Sequence, residues 1–262
     1  MVLCEKDGVV WGEFEQFRGN GRIRHAVFTR MGGFSEGAFS SLNLSVSVPD
    51  DKARVYANRQ RAYGLFGRQN HTVVHAHLVH GNVVARVTAV HQGALVPRVD
   101  GLVTDEPGTA LTMNFADCAP IFLYDPVHHA IGLGHAGWKG AVADLPGAMV
   151  RAMVCHFGSR PYELLAGIGP AISVRHYEVD EPVISAVRAA FAESERLLVY
   201  GAGQKRPYFD LVAANVQNLR RAGVEAIETS GLCTHERTDL FFSHRAENGR
   251  TGRFGTIFVL DD

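Results

Sequence analysis

The sequence is poor in cysteine and has no paired cysteine motif. Its four cysteines, Cys4, Cys118, Cys155 and Cys233, are widely separated and form no CxxC pair. This spacing argues against a disulfide framework and against a structural zinc site built on closely spaced thiolates. The first residues also lack a basic segment followed by an apolar run, so no secretory signal is predicted. Scattered thiols without such a signal predict a cytoplasmic protein with reduced cysteines.

Long apolar runs and an excess of charge are also missing. No stretch reaches the roughly 18 apolar residues that a membrane-spanning helix needs, so no membrane partner is expected. The chain has 26 Lys and Arg against 27 Asp and Glu, and this balance gives no electrostatic basis for binding nucleic acid. With 46% apolar and 20% charged residues, the composition is typical of a folded protein rather than a disordered one. We expect a single domain over residues 1–262.

Histidine, in contrast, is abundant. It occurs 13 times in 262 residues. Histidine is the commonest metal ligand and the side chain whose charge changes most readily near neutral pH. The positions of the histidines, rather than their number, therefore decide which of them take part in chemistry.

Segments typical of strands and of helices alternate along the chain. Aspartates precede several segments with helical periodicity, and an aspartate at that position caps a helix. The predicted helices cover residues 52–66, part of 141–156 from about Asp144, and the segments after Asp180 and Asp210. Apolar and β-branched runs predict strands over 23–29, at 72–74, 83–84 and 111–113, over 130–134, and near 224–229 and 256–260. This mixture predicts an α/β or α+β domain.

Three glycine-flanked segments carry reactive side chains at the predicted ends of strands. They are Val79-His80-Gly81, Ala116-Asp117-Cys118 and Gly134-His135-Ala136-Gly137. Two imidazoles and one thiolate are a ligand set typical of catalytic zinc, which keeps a fourth position for water. The wide spacing of the three residues also fits separate structural roles. His80, Cys118 and His135 are therefore candidate metal ligands.

The residues of these segments closely resemble one protein family. The resemblance continues through further blocks, in chain order from about Arg22 to Leu260. These blocks are Thr29-Arg30-Met31-Gly32-Gly33-Phe34-Ser35, Ser41-Leu42-Asn43-Leu44-Ser45, Ile168-Gly169-Pro170-Ala171-Ile172, Cys233-Thr234, Phe241-Phe242-Ser243-His244-Arg245 and Thr251-Gly252-Arg253. The sequence is similar to the laccase-domain family, long labelled multicopper polyphenol oxidase and now regarded as purine nucleoside phosphorylases.

The resemblance implies a fold, a metal and a reaction. The family fold is α+β, with mixed β-sheets flanked by helices in a layered α/β/β/α sandwich. Zinc, Zn(2+), is implied at His80, Cys118 and His135, which would be catalytic as well as metal-binding. The implied enzyme cleaves adenosine, inosine, guanosine and 5'-methylthioadenosine with phosphate, and it also deaminates adenosine. Its expected partners are small molecules, a nucleoside and phosphate.

Four further residues are expected to bind substrate. Arg30 and Asn43 match family positions near the nucleoside and phosphate site, and a guanidinium suits bidentate contact with an oxyanion. His244 and Arg245 belong to a late loop, which would reach phosphate or base if it folds over the site. These assignments depend on how distant segments meet, which only the fold determines.

Two positions depart from the family pattern, and one acidic residue has two possible roles. Leu78 stands two residues before His80, where Gln is usual, and Lys139 stands where Arg is common. Neither departure removes a metal ligand, but Leu78 cannot make the hydrogen bond of a Gln. Asp117 either supports the metal site or forms a loop hydrogen bond to backbone. In an extended segment its side chain would point away from that of Cys118.

Other functions fit parts of the same pattern. The older family label suggests a copper polyphenol oxidase, or laccase, and makes copper the second candidate metal. Multicopper oxidases use several H-x-H pairs, however, and this chain has one, formed by His75 and His77. A third candidate is a hydrolase with Cys118 as nucleophile and His135 as base, and bacterial relatives are proposed to edit cell-wall precursors. A binding module without catalysis is the remaining alternative.

Overall fold

The computed structural model describes residues 1–201 and 203–262, which form sixteen strands and five helices. The strands are β1 (Val2–Lys6), β2 (Val9–Glu13), β3 (Ile23–Phe28), β4 (Val73–Ala76), β5 (Val84–Arg86), β6 (Leu95–Val96), β7 (Gly101–Thr104), β8 (Ala110–Thr112), β9 (Asn114–Phe115), β10 (Ala119–Asp125), β11 (Ala130–Ala136), β12 (Leu165–Ile168), β13 (Leu198–Val199), β14 (Tyr208–Phe209), β15 (Ala226–Thr229) and β16 (Phe254–Leu260). The helices are α1 (Lys52–Gly64), α2 (Trp138–Val142), α3 (Leu145–Phe157), α4 (Glu181–Ala190) and α5 (Leu211–Arg221).

Most of the strands belong to two large sheets. The eight-stranded sheet has the order β1-β2-β3-β16-β8-β4-β6, with β9 also paired to β16. The six-stranded sheet has the order β15-β12-β10-β11-β7-β5. Both sheets are mixed, because β4 runs parallel to β6 and β8, and β12 runs parallel to β15. β13 and β14 form a separate antiparallel pair.

Three apolar clusters hold the layers together. The cluster between the two sheets contains Phe14, Phe122 and Phe258, all fully buried. A second cluster, which includes Tyr63, joins α1 to the outer face of the eight-stranded sheet. A third, which includes Met149, joins α2, α3, α4 and α5 to the outer face of the six-stranded sheet. The expected α+β fold and its α/β/β/α layering are confirmed.

The helices begin where the capping aspartates predict. Asp51, Asp144 and Asp210 each accept a hydrogen bond from a backbone amide in the first turn of α1, α3 and α5. Pro146 lies in the first turn of α3, where the chain needs no amide hydrogen. Asp180 precedes α4 but makes no capping hydrogen bond through its side chain. None of the helices in the described residues is long and apolar enough to cross a membrane.

Three features differ from the sequence-based expectations. α2 was not predicted, because five residues are too few to show a helical period. The strand predicted over 130–134 extends to Ala136 as β11, so His135 lies inside the strand. β1 and β2 form a hairpin through Asp7-Gly8, whose φ angles of 53° and 79° are left-handed.

Candidate metal centre and its cavity

The structure brings the three candidate ligands together at one end of β10 and β11. Cys118 directly precedes β10, and His135 lies in β11, opposite Pro120 in the antiparallel register of the two strands. His80 follows β4 in a turn, where its φ is 61°. One possible ligand atom from each residue lies within 4.8 Å of those of the other two. The three side chains thus form one cluster, although they are far apart in the sequence.

A buried carboxylate holds two of the three ligands in place. Asp100 precedes β7 and accepts hydrogen bonds from the amides of Val79, His80 and Gly81 at 3.2, 2.9 and 2.7 Å. The same carboxylate lies 3.4 Å from Nδ1 of His135. A carboxylate behind a metal-binding imidazole fixes the orientation of the ring and makes it a better ligand. The sequence gives no local signal for this role, because Asp100 stands 20 residues from His80.

A glycine allows the backbone after His135 to approach the thiol closely. A Cβ atom at Gly137 would lie 2.8 Å from Sγ of Cys118 and 3.7 Å from Cδ2 of His80. Any other residue at this position would therefore push Cys118 or the backbone aside. Trp138 begins α2 directly after this glycine.

The electrostatics of the cluster favour a thiolate. Burial on its own raises the pKa of Cys118, but the charge of His135 and hydrogen bonds from His135 and His80 outweigh it. The pKa of Cys118 is therefore lower than that of an ordinary thiol. Burial on its own lowers the pKa of His135, but the Cys118 thiolate and Asp100 act more strongly in the opposite direction. The pKa of His135 is therefore raised above that of an ordinary histidine. The thiolate is the form of cysteine that binds metals and acts as a nucleophile.

The donor set fits a soft or borderline metal ion. One thiolate and two imidazoles suit Zn²⁺ and copper, whereas Mg²⁺ and Ca²⁺ prefer oxygen ligands. Three protein ligands leave a further coordination position free for a small molecule. In the part of the chain that the structure describes, this is the one cluster of three or more His, Cys, Asp or Glu side chains with ligand atoms so close together.

The three ligands line a cavity of about 830 Å³. This volume lies within the usual range for small-molecule sites. Three arginines also line the cavity, Arg59 from α1, Arg245 directly after His244 and Arg253 just before β16, and none of them forms an ion pair with a described carboxylate. Nη1 of Arg253 donates to the carbonyls of Thr251 and Gly252. A second cavity, of about 640 Å³ beside α5, is lined by none of the three ligands.

Arg30 and Asn43 lie outside the lining of this cavity and bind other parts of the chain. Nη1 of Arg30 donates to Oε1 of Glu247 at 3.0 Å, and its remaining hydrogen bonds go to backbone carbonyls. Asn43 is fully buried, and its Oδ1 accepts a hydrogen bond from the Arg253 amide at 2.9 Å. Asn43 therefore holds the segment that presents Arg253 to the cavity, and Arg30 holds the preceding loop through Glu247.

His244 and Arg245 line the cavity, and Asp117 anchors the loop that carries them. Oδ2 of Asp117 accepts a hydrogen bond from the Arg245 amide at 2.7 Å. Its Oδ1 accepts hydrogen bonds from the hydroxyls of Thr234 and Ser243 at 2.6 and 2.7 Å. The expectation of an extended backbone at Asp117 is wrong, because its φ of 83° is left-handed. Its carboxylate thus joins the segment before Cys118 to the late loop.

Three residues before the His80 turn form another part of the wall. His75, His77 and Leu78 line the cavity, but the two histidines lie outside the ligand cluster. Burial lowers the pKa of His75 to about 3, so this imidazole is neutral. Leu78 adds an apolar side chain to this wall.

The sequence and the fold match known proteins over nearly their full length. Residues 24–261 match the family described as multi-copper polyphenol oxidoreductase laccase. The chain belongs to this family. The purine nucleoside phosphorylase YlmD of Bacillus subtilis is 36% identical to it, over 96% of this chain and 93% of the relative. The purine nucleoside phosphorylase SCO2081 of Streptomyces coelicolor is 40% identical, over 90% of this chain and 96% of the relative.

Two solved structures show the same fold. The crystal structure of YlmD from Geobacillus stearothermophilus is similar, with a TM-score of 0.92 at 33% sequence identity, and the match covers 99% of this chain and 98% of that one. Protein NMB0706 of Neisseria meningitidis gives a TM-score of 0.84 at 29% identity, with 97% of this chain and 100% of that one covered. The family resemblance read from the sequence motifs is confirmed.

Proposed function

We propose that the chain is a zinc-dependent purine nucleoside phosphorylase acting on adenosine, inosine, guanosine and 5'-methylthioadenosine, with adenosine deaminase activity. The observation that carries this proposal is one cavity lined both by the His80, Cys118 and His135 cluster and by Arg253. Relatives that are 36% and 40% identical bear the name purine nucleoside phosphorylase. A cavity of this volume suits a nucleoside together with phosphate.

Phosphorolysis transfers the sugar of a nucleoside from the purine to phosphate. A phosphate oxygen attacks C1' of the ribose, and the bond between C1' and N9 breaks. The electron pair of that bond leaves with the purine, which takes up a proton, and ribose 1-phosphate is the second product. The protein must therefore hold phosphate beside C1'. Arg253 suits this task, because a guanidinium makes bidentate contacts with phosphate oxygens.

The late loop and its supports complete the proposed substrate site. His244 and Arg245 are exposed loop residues on the cavity wall, positioned to contact phosphate or the nucleoside. The guanidinium of Arg245 lies 5.2 Å from the Tyr177 ring and donates to the Glu178 carbonyl at 3.0 Å. Arg30 and Asn43 contribute indirectly, since Asn43 holds the Arg253 segment and Arg30 holds the late loop through Glu247.

Zinc fits the proposed chemistry better than copper does. His80, Cys118 and His135 would hold the ion, with Asp100 fixing the orientation of two of them. A zinc ion there would supply a Lewis acid next to the substrate. Neither phosphorolysis nor the replacement of the adenosine amino group by a water oxygen changes an oxidation state. Zinc has no redox chemistry of its own, whereas the chemistry of a laccase depends on copper redox changes.

The lowered pKa of Cys118 favours a second candidate function, a cysteine hydrolase. Its thiolate would attack a carbonyl carbon, a leaving group would depart with a proton from His135, and water would cleave the thioester. Hydrolytic editing of cell-wall precursors is a reaction that either this cysteine chemistry or a zinc-activated water would support. A metal-bound thiolate is not free to attack, so iodoacetamide distinguishes the two functions. If the protein is a phosphorylase, zinc should protect Cys118 from alkylation by iodoacetamide and preserve activity. If the protein is a cysteine hydrolase, zinc should inhibit it.

A product assay tests the phosphorylase proposal. Purified protein is mixed with inosine, with and without phosphate, and hypoxanthine and ribose 1-phosphate are quantified. We expect both products only with phosphate, and we expect His80→Ala and Cys118→Ala to lose most of the activity. Cys155→Ala is the matched control, because Cys155 is an exposed thiol on α3. Equal activity in all four proteins would contradict the metal role, and base release without phosphate would contradict phosphorolysis.

A further inference from the structure

Arg59 is a buried cation that meets no protein anion. Its side chain is only 7% exposed, although it belongs to the cavity lining. Nε donates to the Leu44 carbonyl at 2.7 Å, and Nη1 donates to Oδ1 of Asn70 at 3.1 Å. Nη2 has no hydrogen-bond acceptor among the described residues. A guanidinium is costly to bury without a counter-ion, so this arrangement is suited to an anion from solution.

The surroundings of Arg59 provide further groups that bind oxyanions. The hydroxyls of Ser45 and Ser47 lie 2.7 Å apart, and both residues line the same cavity. Asn70, held by Arg59, also lines it. The ring of Tyr56 lies 5.9 Å from Cζ of Arg59 and is half exposed at the wall. Guanidinium, hydroxyl and amide donors together match the several acceptor oxygens of a phosphate group.

Arg59 and Arg253 reach the cavity from two different parts of the fold, α1 and the segment before β16. Both are tied to the same short segment, because Arg253 binds Asn43 through its amide and Arg59 binds Leu44 through Nε. Their side-chain contacts differ, however. Arg253 donates to the carbonyls of Thr251 and Gly252, whereas Arg59 donates to the Leu44 carbonyl and to Oδ1 of Asn70.

We propose that Arg59, Ser45, Ser47 and Asn70 form a second phosphate-group subsite, distinct from the position at Arg253. It would take the phosphate monoester of a phosphorylated nucleoside whose sugar and base lie in the rest of the cavity. This inference rests on the proposed nucleoside specificity of the cavity. It extends the ligand class from nucleosides to nucleoside monophosphates, which bind as ligands or inhibitors without any covalent step at Arg59.

Calorimetric binding to the metal-loaded protein tests the subsite without requiring turnover. Inosine 5'-monophosphate, inosine and inorganic phosphate are titrated separately into the wild type and into the Arg59→Gln, Arg59→Lys and Arg54→Gln variants. Arg54 is the matched control, because it lies on the same helix and pairs with Glu36 at the surface. We expect Arg59→Gln to weaken binding of the monophosphate about tenfold or more, since the substitution removes a charge-assisted contact. Binding of inosine should change little, and Arg54→Gln should bind all three ligands like the wild type.

The other outcomes separate this proposal from its alternatives. Arg59→Lys keeps the charge, so partial retention of monophosphate binding shows that the loss in Arg59→Gln comes from the missing cation and not from misfolding. Unchanged monophosphate binding in Arg59→Gln would overturn the proposal. Weaker binding of inorganic phosphate with unchanged binding of the monophosphate would also overturn it, because Arg59 would then bind the phosphate that is consumed in phosphorolysis. If the wild type binds the monophosphate through Arg59 but does not cleave inosine, the subsite stands and the phosphorylase function fails.

Discussion

Asp100 shows how much of the centre depends on a residue that is not itself one of the three metal ligands. Its carboxylate accepts hydrogen bonds from three consecutive backbone amides of the His80 turn and faces the His135 ring. The turn and the ring therefore share one support. Metal affinity should depend on this support, because a residue that fixes ligand orientation reduces the cost of assembling the site.

Asp100→Asn is expected to weaken metal binding about 10- to 100-fold. The amide offers one acceptor oxygen in place of two, so part of the hydrogen bonding to the His80 turn is lost, and the negative charge facing His135 is removed. Competition with a chromophoric zinc chelator measures the affinity. Asp105→Asn is the control, because Asp105 pairs with Arg86 near the surface and should have little effect. Equal zinc affinity in Asp100→Asn and the wild type would contradict this role.

His25 makes the stability of the fold dependent on pH. Its ring is buried beside Phe14, and its Nε2 accepts a hydrogen bond from the Phe14 amide at 2.7 Å, which requires an unprotonated nitrogen. Burial lowers its pKa to about 3. The unfolded chain, with an ordinary histidine pKa, binds more protons below about pH 6.5. The contribution of His25 is therefore complete above that pH and decreases as the pH falls toward 3.

Replacing His25 should flatten this pH dependence. At pH 5.5 the lost contribution is about 1.4 kcal/mol relative to pH 7.5. We expect the fall in the free energy of unfolding between these two pH values to be smaller by about this amount in His25→Gln. Urea denaturation at both pH values measures it, with the exposed His71→Gln as control. The same fall in His25→Gln and the wild type would show that His25 is not the group responsible.

The sequence identifies the candidate ligands better than the residues that serve them. His80, Cys118 and His135 stand out because reactive side chains lie among glycines, a pattern visible within a few residues. Asp100 and Arg59 carry no such pattern, and their importance comes from neighbours distant in sequence. Distant partners also determine the roles of Arg30 and Asn43. Their motifs are local, but their partners Glu247 and Arg253 lie more than 200 residues away.

At the scale of elements, the junction between β11 and α2 forms one wall of the metal centre. β11 ends at Ala136 and α2 begins at Trp138, so a single residue separates strand and helix. That residue, Gly137, lies against Sγ of Cys118. The junction therefore sets the space available to the thiolate and to a bound ion.

Gly137→Ala is expected to lower zinc affinity and activity together. Its methyl group would lie 2.8 Å from Sγ of Cys118, closer than such atoms approach, so the sulfur or the backbone must move. Zinc titration and the inosine assay measure the two losses. Gly140→Ala is the matched control, because the nearest atom to its Cβ, the Gly81 carbonyl oxygen, lies 3.4 Å away. A Gly137→Ala protein with normal zinc affinity would contradict the close approach.

The late loop is the second element that shapes the site. Glu247 binds the Arg30 guanidinium, the Ser243 amide and the Thr251 hydroxyl, and so closes the loop on itself. Asp117, which directly precedes Cys118, binds the same loop from the other side through Ser243 and Arg245. These two carboxylates place His244, Arg245 and Arg253 around the cavity.

A double-mutant cycle tests the support role of Arg30. Arg30→Met and Glu247→Gln should each lower the free energy of unfolding and raise the KM for phosphate several-fold, with zinc content unchanged. Because the two side chains act through one contact, their effects should be coupled by about 1 kcal/mol. The surface variant Arg237→Gln, which breaks a pair with Asp239, should behave like the wild type. Independent effects of the two substitutions would mean that Arg30 acts elsewhere, for example directly on substrate.

Element boundaries can be predicted where the signal is local. Capping aspartates mark the starts of α1, α3 and α5 because the cap and the first turn are adjacent in sequence. The Asp7-Gly8 turn carries a comparable hairpin signal that the strand assignments left out. Sheet order has no such signal. β16 pairs with β3, more than 200 residues earlier, and only the complete fold brings them together.

At the scale of the whole molecule, the two stacked sheets bring the parts of the site together. The six-stranded sheet supplies Cys118 and His135 through β10 and β11, and the chain after β4 of the eight-stranded sheet supplies His80. The segment before β16 adds Arg253, and α1 adds Arg59. The cavity thus depends on both sheets and on the helix outside one of them.

Metal reconstitution tests the central claim most directly, because it links the His80, Cys118 and His135 cluster to phosphorolysis. Metal is removed with a chelator, zinc or copper is returned in measured amounts, and hypoxanthine release from inosine is followed with and without phosphate. We predict phosphate-dependent activity that rises with zinc and saturates at about one ion per chain, in keeping with one three-ligand site. Activity that is independent of metal would contradict the account, as would copper-dependent phenol oxidation without phosphorolysis.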